Sequence, residues 1–491
     1  MTTTDIHPEG AFIADLVIAG GTLVREDATV PASIAILDGR ILVVGDEAAM
    51  PPARETMRAE GLHILPGAID VHVHFRDPGY TRKEDFGTGT AAAAMGGVTT
   101  VFEMPNVVPP TSTPEGLRIK QQAAEKAMVD FGLYGLLGEE NLDQIEALID
   151  GGVAAFKCYM GNTFGDLPSP STGAMLEGFE IVAKHGIRVS LHAETASINK
   201  WRQRRLTEAG RHDAIAHLQA RPPVVAVEAV SRAAVLAEWT GARIHVLHIS
   251  SGDELRPLRE ARARGVDVTG ETCPHYLLLD ETAYERHGSI VRVNPPVRER
   301  AHQMALWEGI ADGTIDMIAT DHAPHTDAEK VNADIWKADC GFPGIETQMP
   351  LMLTEVHRGR LSLEDYVRLS SAAPARSFGL YPRKGTLLPG SDADIAIVDL
   401  SRRETIRAAG LHSRSRINPF EGMETVGAPI HTLVRGRFVM RDRKLMTDAA
   451  GWGRNVSAKQ KMPPPAPRNL DLTMEAVTRP GAGRFGSGGA R

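Results

Sequence analysis

The sequence predicts an α/β protein, a (β/α)₈ TIM-type barrel with a small accessory β-sandwich built from both chain ends. Eight apolar segments recur over residues 62–325 with helix-like segments between them, which is typical of a parallel sheet covered by helices. Eight such units in about 250 residues favour a closed barrel, and no glycine-rich phosphate loop follows any strand to favour an open sheet. Shorter alternating strands, punctuated by glycine, occur towards both ends.

The strands near the two ends predict the accessory domain. They lie in DLVIAGGTLV and SIAILDGRILVVGD within residues 14–50, then in DADIAIVDL and TLVRGRFVM over 392–400 and 432–440. The tail is rich in Pro and Gly, so we expect it to pack weakly or to reach another subunit. The predicted parts are therefore the N-terminal part of the sandwich, the barrel, the C-terminal part of the sandwich and the tail, at 1–63, 64–385, 386–450 and 451–491.

Eight segments supply the predicted barrel strands in chain order. They are LHILPGAIDVHVHF, VTTVFEMP, FGLYGLLG, AAFKCYM, RVSLHAE, RIHVLHIS, VDVTGETCPHYL and DMIATDHAPH. Helical patterns between them include TGTAAAAMGG, TPEGLRIKQQAAEKAMV and PVVAVEAVSRAAVLAEWTG. This alternation of strand and helix is what a barrel requires.

Composition excludes several classes of protein. The net charge is −8 and there is no basic block, which argues against a nucleic-acid partner. No run approaches ~18 apolar residues, so we expect no membrane span, and MTTTDIHPEG lacks the features of an export signal. The three cysteines, Cys158, Cys273 and Cys340, are too few for a disulfide framework and are typical of a reducing cytoplasm.

The first predicted barrel strand ends in two histidines and an arginine. Active sites of such barrels lie at the carboxyl ends of the strands. Residues two apart on a strand point the same way, so we expect His72, His74 and Arg76 to face the barrel mouth. Two neighbouring imidazoles make a pair of metal ligands. The alternative is that the HxH pattern arose by chance among packed residues.

The fourth predicted strand carries Lys157 within the apolar segment AAFKCYM. Burying a bare ammonium is costly, so the side chain either extends to the surface or is chemically modified. Carboxylation by CO₂ would convert the amine to an anionic carbamate able to bridge two metals.

Three further strands end in potential ligands. His192, His248 and Asp321 follow strands five, six and eight. His245 lies three residues before His248, faces the other way and is assigned to packing, while His322 points away from the mouth. Four histidines, one lysine and one aspartate at the ends of five strands predict a site for two divalent metals.

The order and spacing of these motifs resemble the cyclic amidohydrolases of the amidohydrolase superfamily. The matching segments are PGAIDVHVHFRDPG, GVTTVFEMPN, FKCYMG, LHAE, HISS, TCPHYL, NPPVR, ATDHAPHTDAEK and GFPGIET. The resemblance implies two divalent metal ions, Zn²⁺ being usual, and a homodimer or homotetramer. It implies one ion on His72 and His74, the other on His192 and His248, N6-carboxylated Lys157 as the bridge, and Asp321 as both ligand and catalytic acid/base.

Within the family, the residues most resemble dihydroorotase. There, the matching positions hold a substrate carboxylate, which implies that role for Arg76, Asn106 and His325. Asn294 would contact the ring amide. The expected reaction is reversible hydrolysis of dihydroorotate to N-carbamoyl-aspartate in pyrimidine biosynthesis, by a cytoplasmic enzyme.

Other segments favour different members of the family. FKCYMG, LHAE and TCPHYL are typical of hydantoinases and allantoinases, so a hydantoinase, dihydropyrimidinase or allantoinase is the alternative. A non-catalytic scaffold is the third possibility. Scaffold relatives generally lose metal ligands, whereas all six are present here. Residues 326–344, polar and ending in glycine, are either a lid over the site or an ordinary surface loop.

Overall fold

The barrel is formed by eight parallel strands whose order around the sheet follows the chain. The computed structural model describes residues 13–161 and 167–456. In it, the last strand returns to the first, because the His74 amide donates a 2.7 Å hydrogen bond to the His322 carbonyl. The predicted (β/α)₈ barrel is thereby confirmed. Its strands are β6 (Ala68–Val73), β7 (Val98–Glu103), β8 (Asp130–Leu136), β9 (Ala155–Tyr159), β10 (Arg188–His192), β11 (Arg243–Val246), β12 (Val268–Thr272) and β13 (Met317–Ile318).

Helices cover the outside of the barrel and its mouth. The first of them begins at Asp85, whose side chain caps it by accepting from the Thr88 amide. The α-helices are α1 (Phe86–Met95), α2 (Pro114–Ala123), α3 (Ile145–Gly151), α4 (Thr172–Lys184), α5 (Ala196–Glu208), α6 (Ala214–Ala220), α7 (Val224–Thr240), α8 (Leu255–Ala263), α9 (Pro274–Leu278), α10 (Ala283–His287), α11 (Arg300–Ala311), α12 (Asp327–Lys330), α13 (Gln348–His357), α14 (Leu363–Val367) and α15 (Ala373–Ser377).

The accessory domain is one nine-stranded mixed sheet drawn from both chain ends. It encloses its own apolar core, in which Ile18, Ile34, Ile64 and Ile395 are fully buried. This confirms the predicted assembly from both ends. Its strands are β1 (Ala14–Val24), β2 (Thr29–Leu37), β3 (Arg40–Gly45), β4 (Ala53–Arg58), β5 (His63–Pro66), β14 (Ile395–Thr405), β15 (Glu424–Val434), β16 (Arg437–Arg441) and β17 (Lys444–Leu445).

The segment LHILPGAIDVHVHF is not the single strand that the sequence predicted. It divides at Gly67, so that β5 pairs with β1 and β14 of the accessory sheet while β6 enters the barrel. A side chain at Gly67 would collide with Thr99, since an added Cβ would lie 2.2 Å from its Cγ2. The predicted domain boundaries stay predictions. Most of the Pro- and Gly-rich tail, which the sequence predicts to pack weakly or to reach another subunit, lies outside the described residues, beyond Val456.

A buried charge cluster joins the two domains at the opposite end of the barrel from the mouth. Asp130, Asp392 and Asp394 lie close enough to resemble a metal site. The Lys384 ammonium occupies the cluster, 2.7 Å from Asp130 Oδ2 and 3.2 Å from Asp392 Oδ2. The cluster is therefore an internal ion-pair network. Cys158, Cys273 and Cys340 are free thiols, and no helix in the described part of the chain is long and apolar enough to cross a membrane.

Candidate metal centre

The six predicted ligands converge at the carboxyl ends of the barrel strands. His72, Lys157 and His192 lie on β6, β9 and β10, and the others lie just beyond strand ends. Arg76, His248 and Asp321 adopt left-handed backbone conformations, with φ of 61°, 40° and 48°. Such conformations are uncommon outside glycine and concentrate at functional sites.

His72, His74 and Asp321 form the first ligand group. His72 Nε2 and His74 Nε2 each lie 3.2 Å from Asp321 Oδ1. All three side chains are buried. Three ligand atoms converging on one point are the donor set expected for a divalent metal.

Two acceptors fix the orientation of these imidazoles. Glu271 Oε1 lies 2.6 Å from His72 Nδ1, and Asn106 Oδ1 lies 2.8 Å from His74 Nδ1. Since these oxygens accept, each Nδ1 carries the hydrogen and each Nε2 keeps its lone pair. Burial also lowers the pKa of both histidines well below the usual value. The rings are therefore neutral and ready to bind a metal.

His192 and His248 form the second pair. His192 Nδ1 and His248 Nε2 lie 2.9 Å apart. His192 Nε2 lies 2.9 Å from the Glu194 carboxylate, which is paired with Arg221. Although burial opposes ionisation of Glu194, Arg221 and His192 lower its pKa to about 2. The ionised carboxylate accepts from Nε2 and leaves Nδ1 of His192 to act as the ligand.

Lys157 lies at the same pocket, with Nζ 4.7 Å from the centre of the Tyr159 ring. Burial lowers the pKa of its amine to about 7, against an opposing effect of Asp321 and Glu271. Much of the amine is therefore uncharged at neutral pH, the form that reacts with CO₂. A carbamate here would give the His192–His248 pair the further ligand that two imidazoles need. The residues thus fit a two-metal centre.

Two buried carboxylates beneath the site were missed by the sequence analysis. Glu271 accepts from the His248 amide at 3.3 Å and lies 3.0 Å from His245 Nε2. His245 therefore supports Glu271 within a polar network in addition to packing. Asp70 accepts from the His72 and Thr320 amides at 3.2 and 3.1 Å, which joins the first and last strands beneath Asp321.

The predicted substrate residues occupy different positions. Arg76, Asn106 and Asn294 line the pocket. His325 lies behind Arg76, with Nε2 3.1 Å from the guanidinium and Nδ1 2.9 Å from Asp339 Oδ2. Asn106 uses its amide oxygen on His74, so orienting that ligand is part of its role. The structure thus places His325 to support Arg76, and its contact with substrate stays a prediction.

Tyr159 is a further pocket residue that the sequence analysis missed. It follows Lys157 by two positions on β9, so strand alternation could have identified it. Its buried hydroxyl has no hydrogen-bond partner among the described residues, and it lines the pocket. Asn294 Oδ1 is likewise buried without a partner within 13–161 and 167–456. A substrate can satisfy both groups.

Residues 326–344 cover one side of the pocket. Cys340 lines it, while Lys83 anchors the segment with Nζ 3.0 Å from Asp339 Oδ2 and 3.2 Å from Glu329 Oε1. Lys330 donates to the carbonyls of Arg292 and Asp339. The segment is therefore fastened by two buried lysines, and its movement as a lid stays a prediction.

Replacing Glu271 should weaken metal binding. Glu271→Met removes the acceptor from His72 Nδ1 while keeping a similar volume, and loss of such a partner costs about 10- to 100-fold in metal affinity. Chelator competition would measure the Zn²⁺ dissociation constant. Glu355→Met is the matched control, since Glu355 is buried but pairs with Arg358 and Arg360. Equal affinities in the two variants would contradict the role of Glu271.

Comparison with known proteins gives matches over nearly the whole chain. Residues 63–439 match the Amidohydrolase family. An allantoinase of Rubrobacter xylanophilus is 39% identical over 89% of this chain and 96% of its own. An L-hydantoinase of Paenarthrobacter aurescens is 36% identical over 91% and 98%. The solved L-hydantoinase of Arthrobacter aurescens superposes with a TM-score of 0.88 at 35% identity, covering 91% of this chain and all of that one.

Proposed function

Because the chain belongs to the amidohydrolase family and is a cyclic amide hydrolase of hydantoinase/allantoinase type, we propose that it opens a hydantoin-type cyclic ureide at a two-metal centre. The observation that carries this proposal is the convergence of His72 Nε2, His74 Nε2 and Asp321 Oδ1 beside the His192–His248 pair. No simpler role accounts for five buried ligands meeting in one pocket.

Each metal has its own ligands in this proposal. His72, His74 and Asp321 would hold one ion and His192 and His248 the other, with N6-carboxylated Lys157 as a ligand available to both. Imidazole with carboxylate oxygen suits Zn²⁺. When bound, such ions lower the pKa of water and polarise an amide carbonyl.

Asp321 moves the proton. Burial raises the pKa of this carboxyl, opposed mainly by His275 and Lys157, which makes it a better base than an exposed aspartate. It takes the proton of the attacking water and delivers it to the departing ring nitrogen. Its left-handed backbone at the end of β13 points the carboxylate at both histidines.

Tyr159 and Asn294 position the ring. The Tyr159 hydroxyl donates to the carbonyl oxygen as negative charge develops there, which lowers the barrier. The Asn294 amide oxygen accepts from a ring N–H. Neither group has a hydrogen-bond partner among the described residues and both residues line the pocket, so substrate binding would complete their hydrogen bonds.

The proposed substrate, a hydantoin-type ring, differs from the dihydroorotate that the sequence predicted. The relatives named above are an allantoinase and hydantoinases, which favours the alternative that the sequence left open. Dihydroorotate remains the second candidate because the buried Arg76 guanidinium lines the pocket and suits a carboxylate.

A substrate panel tests the proposal. Purified protein loaded with Zn²⁺ is assayed with hydantoin, allantoin, dihydrouracil and dihydroorotate at equal concentrations. We expect kcat/KM for hydantoin or allantoin to exceed that for dihydroorotate by ~10-fold or more, since a ring of the wrong size or charge misplaces its carbonyl. Preference for dihydroorotate would move the assignment to the second candidate.

The Arg76→Met variant tests whether Arg76 binds a charged group of the substrate, because its effect on KM should then differ between charged and neutral rings. A charge-assisted hydrogen bond contributes ~1.5–3 kcal/mol, or roughly 10- to 150-fold. We expect KM for dihydroorotate to rise by that factor while KM for neutral hydantoin changes little. Arg82→Met is the control, because Arg82 is 61% exposed and pairs with Glu329 outside the pocket. A uniform loss on both rings would mean that Arg76 only shapes the site.

A further inference from the structure

A buried histidine behind the pocket contacts a donor and an acceptor at each of its ring nitrogens. His325 Nε2 lies 3.1 Å from Arg76 Nη2 and 3.0 Å from the Cys340 carbonyl oxygen. Its Nδ1 lies 3.0 Å from Lys83 Nζ and 2.9 Å from Asp339 Oδ2. The ammonium and the guanidinium can only donate hydrogen bonds, whereas the carbonyl and the ionised carboxylate can only accept them.

The imidazole of His325 is neutral at neutral pH, so it carries a single N–H. Its burial and the cations of Arg76 and Lys83 lower the pKa of the ring to about 3, against an opposing effect of Asp339. A neutral imidazole donates through one nitrogen and accepts through the other. The ring can therefore form only one of two hydrogen-bond patterns at a time, and they differ in which nitrogen bears the hydrogen.

The two patterns use different numbers of charged partners. With the hydrogen on Nδ1, His325 donates to the Asp339 carboxylate and accepts from the Arg76 guanidinium. With the hydrogen on Nε2, it donates to the neutral Cys340 carbonyl and accepts from Lys83. Hydrogen bonds to ionised groups are about twice as strong as neutral ones, and the first pattern has two of them where the second has one. The second also points an N–H at Arg76, whose rigid guanidinium cannot turn its own hydrogens away.

The Lys83 ammonium keeps other acceptors in the favoured pattern. Its Nζ lies 3.0 Å from Asp339 Oδ2 and 3.2 Å from Glu329 Oε1, so two carboxylates accept its hydrogens when Nδ1 of the ring donates. Although burial opposes ionisation of Asp339, His325 and Lys83 lower the pKa of its carboxyl. An ionised carboxylate beside one nitrogen of a histidine determines which nitrogen keeps its lone pair.

We propose that Asp339 and His325 are positioning residues for Arg76: the carboxylate keeps the hydrogen on Nδ1, so that Nε2 accepts from the guanidinium and fixes its orientation in the pocket wall. Arg76 lines the pocket, and its Nε also donates to the Pro324 carbonyl at 3.3 Å. A guanidinium held in one orientation binds a planar anion at a lower cost in conformational entropy. The inference rests on the proposed function in placing the substrate in this pocket, and it makes Asp339 a determinant of affinity for an anionic ring substituent.

Nitrogen chemical shifts show directly which ring nitrogen bears the hydrogen. Protein loaded with Zn²⁺ and carrying isotope-labelled histidine is measured without substrate, and the signals that are lost in His325→Gln belong to His325. We expect Nδ1 in the protonated range and Nε2 in the unprotonated range at neutral pH. Asp339→Asn should move the hydrogen to Nε2 in a substantial fraction of molecules, because the ring then loses its charged acceptor.

This measurement gives its answer whichever ring the enzyme opens, so its failure is distinct from a failure of the proposed function in the substrate panel. A hydrogen on Nε2 in the wild-type protein would overturn the proposal. So would an unchanged position of the hydrogen in Asp339→Asn.

Equilibrium binding of two unreactive rings measures the consequence for affinity. Orotate and uracil differ by one carboxylate, and their conjugated rings resist hydrolysis. We expect Asp339→Asn to raise the calorimetric Kd for orotate by about 10-fold, since loss of a partner that orients a histidine has effects of this order, while Kd for uracil changes little. Glu329→Gln is the matched control, because Glu329 lies in the same segment and pairs with Lys83 and Arg82. It should leave the Kd for orotate unchanged.

A double variant separates positioning of Arg76 from simple fastening of residues 326–344. In His325→Gln the carboxamide oxygen can accept from Arg76 without Asp339, so affinity for orotate should largely persist and adding Asp339→Asn should cost little more. If Asp339 only fastened the segment, its replacement would cost the same with His or Gln at position 325. Equal costs in the two backgrounds, or orotate bound no more tightly than uracil, would contradict the positioning role. Circular dichroism checks that each variant is folded.

Discussion

Lys157→Ala is expected to lower kcat by ~10² or more, because the proposed carbamate cannot then form and the His192–His248 pair would lack the further ligand that it supplies. Loss of even an outer partner costs about 10- to 100-fold in metal affinity or activity, and a bridging ligand contributes more. Elemental analysis should find about two metals per wild-type chain and at most one in the variant.

Chemical rescue sharpens this prediction. A short carboxylic acid, such as acetate or propionate, can enter the space left by Lys157 and supply the missing oxygens, so activity should partly return at millimolar concentration. Cys158→Ala is the matched control, since Cys158 is the next residue on β9, is buried, and lies outside the pocket lining. Two tightly bound metals with normal turnover in Lys157→Ala would remove the carbamate from the centre.

The sequence predicted the residues on strands well, because strand alternation and the barrel rule need only local information. His72, Lys157 and His192 lie on strands and line the pocket together. The same alternation rule, applied to Lys157, would also have identified Tyr159. The rule does not apply to Arg76, because β6 ends at Val73 and side chains alternate only within a strand.

The sequence analysis did not predict the backbone conformations of the site or the contacts between residues that are far apart in the chain. No pattern in the sequence indicates the left-handed backbone conformations of Arg76, His248 and Asp321, because tertiary contacts impose them. Glu271 lies 199 residues from the histidine it orients, on β12, which pairs with β11 and β13 and not with β6, so closure of the barrel brings the two side chains together. The need for glycine at position 67, where the first segment divides, comes from Thr99 across the sheet.

Substrate choice within the family was the weakest part of the sequence analysis. Arg76, Asn106 and His325 were assigned to one carboxylate clamp. In the structure the Asn106 amide oxygen lies against His74 and His325 lies behind Arg76, and contact of these residues with a substrate stays a prediction. Short motifs thus predicted the residues near the pocket, but not which atoms each side chain has left for a substrate.

Asp321→Asn is expected to lower kcat by ~10²–10⁴, the usual contribution of a positioned acid/base, while keeping most of the bound metal. The amide oxygen can still face His72 and His74 Nε2, but the group no longer takes or delivers a proton. Burial raises the pKa of the Asp321 carboxyl. Wild-type activity should therefore fall as pH drops through that pKa, because a protonated carboxyl is no longer a base.

The pH profile separates a proton-transfer role for Asp321 from a purely structural one. The variant should lose the acid limb attributed to Asp321, whereas a residue that only binds metal would leave the limb in place and lower metal content instead. Asp339→Asn is the control, because Asp339 contacts His325 and Lys83 outside the pocket, and its acid limb should persist. Normal turnover by Asp321→Asn with two bound metals would mean that another group transfers the proton.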